Sequence, residues 1–65
     1  MYKIRQRYQR IARGAEKVWT DWFIWDMTNY TEEEGKEKIK ELYSATKKMD
    51  QVSGLKHEFE LVKID

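Results

Sequence analysis

The chain has 65 residues, no cysteine and no proline, and its thirteen Lys and Arg against twelve Asp and Glu leave a net charge of +1. That length allows a single domain over residues 1–65, too small for an enclosed catalytic cavity. The lack of cysteine excludes disulfides and thiolate metal sites, so stability rests on aromatic burial or on association.

The charge is unevenly spread. The first 17 residues carry six cations and one acid, a surplus of +5, and the rest carry seven lysines and eleven acids, −4. Mutual neutralisation within the fold is one reading of this split and a nucleic-acid footprint is the other. No apolar run reaches the roughly 18 residues of a membrane span. The basic start MYKIRQRYQR precedes no apolar signal-peptide core, so the expected location is cytoplasmic. In that compartment the sequon Asn29-Tyr30-Thr31 carries no meaning.

In chain order, Tyr2 to Arg10 alternates. Tyr2, Ile4 and Tyr8 fall on one face and Lys3, Arg5 and Arg7 on the other, the pattern of a half-buried strand with a cationic outer row. Gly14, within Ile11 to Glu16, marks a turn longer than two residues. Lys17 to Met27, KVWTDWFIWDM, follows with all three tryptophans. Val18, Trp22 and Trp25 also fit helical spacing, but the density of aromatic and β-branched residues and the lack of a helix start favour a strand.

Strict alternation puts Trp19, Asp21, Phe23, Trp25 and Met27 on one face of that strand, and Val18, Thr20, Trp22, Ile24 and Asp26 on the other. Burying the first set removes more apolar area, although it also turns Asp21 inward. The expectation is that the larger aromatic set faces inward and that Trp22 and Ile24 lie on the open face beside Arg5 and Arg7.

Thr31 followed by Glu32, Glu33 and Glu34 reads as a capping box that opens a helix. Ile39, Leu42, Tyr43, Thr46 and Met49 form its apolar stripe, and Gly35 on the same stripe suggests a close approach to the sheet. Lys47 and Lys48 suit the negative end of the helix dipole, and Asp50 to Gly54 reads as a linker. Leu55, His57, Phe59 and Leu61 then alternate with Lys56, Glu58 and Glu60 as a third strand.

The predicted fold is α+β, a two-layer β-β-α-β arrangement. Its three-stranded antiparallel sheet has the order 2-1-3, with one helix on one face. That order sets Lys3, Arg5 and Arg7 beside Glu58 and Glu60, an opposite-charge match that supports it.

Few residues suggest chemistry. His57 lacks a second ligand at metal spacing and reads as a hydrogen-bonded core or rim histidine. Ser44 and Ser53 have no nucleophile–base surroundings, no glycine-rich phosphate loop exists, and Glu32–Glu34 form a cap, so no catalytic residue, metal site or cofactor is expected. What remains is the open sheet face with Lys3, Arg5, Arg7, Trp22 and Ile24. Plain cation–π stabilisation, a protein-binding patch and a base-stacking platform all fit this set. The expected function is non-enzymatic binding of a protein partner, or self-association, through that face. Nucleic-acid binding is the alternative; neither a membrane nor a small-molecule substrate is expected.

The runs YKIRQRY, WTDWF, TEEE and LKHEFELV resemble small uncharacterised proteins of phages and prophages of Gram-positive bacteria. That resemblance implies an accessory or host-directed protein that acts by binding, and it assigns no functional residues.

Overall fold

The computed structural model describes residues 1–64. Its central element is β1 (Tyr2–Ile11), which has antiparallel partners on both sides. On one side lie β2 (Lys17–Trp19) and β3 (Phe23–Ile24). On the other is β4 (His57–Lys63), in a register that sets Tyr2 opposite Lys63 and Tyr8 opposite His57. Between β3 and β4 runs the helix α1 (Glu32–Ser53). Taken as one interrupted strand, β2 and β3 fill the place of the predicted second strand and β4 that of the third, so the fold is α+β with the expected order.

The strand interruption follows from the register. Gln9 opposes Trp19 and Arg10 opposes Val18, whereas Arg5 opposes Ile24 and Gln6 opposes Phe23. Paired positions sum to 28 in the first block and to 29 in the second, so one extra residue sits between them at Thr20–Asp21. The Thr20 N–H donates to the Tyr8 carbonyl, and its Oγ1 accepts the Tyr8 N–H at 3.1 Å, which satisfies the backbone across the bulge. Asp21 is exposed there, which removes the cost of turning it inward.

A one-residue shift exchanges faces. Trp19, expected inward, stands on the open face with Gln9, while Phe23 and Trp25 keep the helix side. Met27, also expected inward, is 79% exposed because the strand has ended before it.

The capping box is present in full. Thr31 Oγ1 accepts the Glu34 N–H at 3.1 Å and Glu34 Oε1 accepts the Thr31 N–H at 3.0 Å. Gly35 is buried because a Cβ there would collide with Cδ1 of Leu61 on β4. The helix continues past the expected linker: Asp50 to Ser53 are helical, and Gly54 ends α1 in the left-handed conformation, φ 73°, with its N–H on the Asp50 carbonyl. Its last turn therefore contains no basic residue, and Lys47 and Lys48 lie a turn too early to serve the dipole. Lys17, from β2, supplies a cation instead, its Nζ 2.9 Å from the Gly54 carbonyl.

Ile4 and Phe59 form the buried core, with the Tyr43 ring edge-on to Phe59 at 5.1 Å. His57 bonds to Asp50 through Nδ1 at 2.6 Å between the rings of Tyr8 and Phe59, the hydrogen-bonded rim histidine expected. The helix packs over β1 and β4, and its backbone stays clear of β2 and β3. No helix among the described residues is long and apolar enough to cross a membrane.

Candidate interaction face

The sheet face away from α1 carries the odd-numbered residues of β1, the even-numbered residues of β4, and Trp19, Trp22 and Ile24. Pairing fixes these sides: Arg5 lies opposite Glu60 and Ile24, Arg7 opposite Glu58, and Lys3 opposite Val62.

Along this face Trp19, Arg7, Trp22 and Arg5 form a ladder. The Arg7 guanidinium lies 4.4 Å from the Trp19 ring centre and 4.9 Å from that of Trp22, and the Arg5 guanidinium lies 4.6 Å from Trp22. Each such contact is worth about 0.5–1 kcal/mol on an exposed surface. The bulge makes the ladder possible, because without the extra residue Trp19 would point toward the helix side.

From their other flank the guanidiniums meet carboxylates. Arg5 Nη2 is 2.8 Å from Glu60 Oε1, and Arg7 reaches Glu58 Oε1 through Nε at 2.6 Å and Nη2 at 2.5 Å. The side chains are 31–49% exposed, so the pairs contribute no more than about 1 kcal/mol each to stability. Their larger effect is to hold two long side chains straight and to neutralise them. Arg5 Nε is buried without a hydrogen-bond partner.

Of the five residues singled out from sequence, Arg5, Arg7, Trp22 and Ile24 come together here, with Ile24 43% exposed. Lys3 shares the face, but its ammonium is tied to the Met27 carbonyl at 2.8 Å and clasps the connection after β3. Sequence reasoning missed Trp19, which is 36% exposed. The available signal was Asp21: a carboxylate in the middle of an apolar row marks the position where a strand departs from strict alternation.

Chemically the face presents aromatic rings and apolar carbon around a neutralised cationic row. Among the described residues no group of three or more His, Asp or Glu could hold a metal ion. No family model, curated protein or solved structure matches this chain.

Proposed function

We propose that this protein is a non-enzymatic accessory module that binds another protein through its open sheet face, with Trp19, Trp22 and Ile24 as apolar anchors and Arg5 and Arg7 as the polar rim. The observation that carries this reading is the Trp19–Arg7–Trp22–Arg5 ladder on a face that no helix covers. Trp and Arg are the residue types most enriched among binding hot spots, and here their side chains are already ordered, which lowers the entropic cost of association. The resemblance of the sequence to phage and prophage accessory proteins points the same way.

Protein is favoured over single-stranded nucleic acid because of the carboxylates. A phosphate approaching Arg5 or Arg7 meets Glu60 or Glu58 at the same guanidinium, and Trp22 already has guanidiniums against its ring where a base would stack. The test is affinity capture with the wild-type chain and with Trp22→Ala. The expected result is a protein held by the wild type, absent from the variant, and retained when salt is raised. Capture of nucleic acid alone, with affinity falling linearly in log salt, would overturn the reading.

A further inference from the structure

Along the C-terminal half of α1, where the chain turns back toward β4, lies an open depression of about 470 Å³. The helix lines it with Tyr43, Thr46 and Lys47, and the connection after α1 lines it with Leu55 and Lys56. Gly54, left-handed at φ 73°, turns the chain between these two walls. Most of the lining is carbon. The Tyr43 hydroxyl makes both its bonds to Phe59, and the Thr46 hydroxyl donates to the Leu42 carbonyl at 3.0 Å, so neither is left for a ligand. The Tyr43 side is still 43% exposed. Volume and apolar lining fall within the range of small-molecule sites, about 300–1,000 Å³.

The charge around the depression is one-sided. Lys47 and Lys56 line it and form no ion pair among the described residues. A third cation has a fixed place at its edge: Lys17 Nζ donates to the carbonyl of Gly54, itself part of the lining, at 2.9 Å. The only acid among the lining residues, Asp50, is committed to His57, through Oδ1 to the ring Nδ1 and through Oδ2 to the backbone N–H. Apolar carbon bordered by cations that lack counter-charges is complementary to an apolar molecule that ends in an anion.

We propose that this depression binds a small carboxylic acid with an aliphatic or aromatic body, the body lying against Tyr43 and Leu55 and the carboxylate met by Lys47 and Lys56. The flexible lysine stems let the ammonium groups follow acids of different length. The site shares no residue with the ladder, so it stands or falls independently of the protein-binding face.

The test is a nuclear magnetic resonance titration of the isotope-labelled chain with octanoate and, in parallel, with octanamide, which keeps the alkyl body and lacks the charge. Saturable shifts are expected at the amides of Tyr43, Lys47 and Leu55. Octanamide should bind about tenfold more weakly, the loss expected for one charge-assisted contact. Both titrations use the unmutated chain and do not depend on a variant folding. Lys47→Glu with Lys56→Glu, at two exposed positions, should keep the wild-type circular dichroism and lose octanoate binding, whereas Trp22→Ala should bind octanoate as the wild type does. No saturable shift with octanoate, equal binding of octanamide, shifts centred on Trp19 and Trp22, or a folded double variant that binds octanoate unchanged would overturn the proposal.

Discussion

The hydroxyl of Tyr43 sits at the outer edge of β4, accepting the Phe59 N–H at 3.0 Å and donating to the Phe59 carbonyl at 3.3 Å. Both groups point away from β1, and in an edge strand they would be open to any extended chain. Two residues earlier, Asp50 Oδ2 accepts the His57 N–H at 3.2 Å. The helix thus closes the first half of the β4 edge with side chains. Glu58 and Glu60 on the open face add charge that discourages edge-to-edge pairing.

Tyr43→Phe keeps the ring against Phe59 and frees that edge. The expected loss of stability is about 0.5–1.5 kcal/mol, the net worth of an ordinary hydrogen bond. The more telling outcome is a gain of concentration-dependent association in light scattering. Unchanged scattering would mean that Tyr43 contributes packing alone.

Gly35→Ala reverses a general expectation. In an exposed helix this change stabilises by about 1 kcal/mol. Here the new methyl meets Leu61 Cδ1, and Leu61 must leave its place on β4. The expected result is a net destabilisation of about 1–3 kcal/mol, as for other overpacked sites. Leu61→Ala removes the obstacle, so in a double-mutant cycle Gly35→Ala should cost less on that background. Additive effects would place the cause elsewhere.

Acid should loosen the start of α1. The Lys36 ammonium, 3.0 Å from Glu32, and then the Tyr2 hydroxyl, 3.2 Å from it, hold the Glu32 carboxyl below its ordinary value of 4.5. A carboxyl lowered in the native state adds stability above its unfolded value and loses it as pH falls through the folded one. Melts of wild type and Glu32→Gln should therefore differ at pH 7 and converge as the pH falls through and below the lowered Glu32 carboxyl. A gap that is independent of pH would remove Glu32 from the account.

The parts of this fold that were legible in the sequence are those fixed by local chemistry or by charge. Thr31 and Glu34 announce the cap because four consecutive residues suffice to form it. Arg5 and Arg7 announce their pairing with Glu60 and Glu58 because two alternating strands admit few registers that match charge. The end of α1 was hidden because Asp50, Gln51 and Ser53 are polar and stand before a glycine, a composition that loops share. Asp50 also bonds to His57 of β4, a contact that no local pattern shows. Trp19 was misplaced for a similar reason: a bulge is one residue long, and alternation assigns every residue after it to the wrong partner of every residue before it.

The tryptophans test both the bulge and the working face. The Trp25 backbone N–H donates to the carbonyl of Ile4, which has the one fully buried large side chain among the described residues, and the Trp25 ring lies on the helix side under Lys38. Trp25→Ala should cost about 3 kcal/mol, the low end for a buried tryptophan because the ring is partly exposed. Trp22→Ala loses two guanidinium contacts, about 1–2 kcal/mol, and Trp19→Ala loses one, about 0.5–1 kcal/mol. The open-face variants should retain a cooperative melt while losing the captured partner, Trp22→Ala most of all. In a regular strand without the extra residue at Thr20–Asp21, Trp19 would share the helix side with Trp25, and the two alanine variants would melt alike. Equal losses for Trp19→Ala and Trp25→Ala would therefore remove the bulge, and with it the ladder on which the binding face is built.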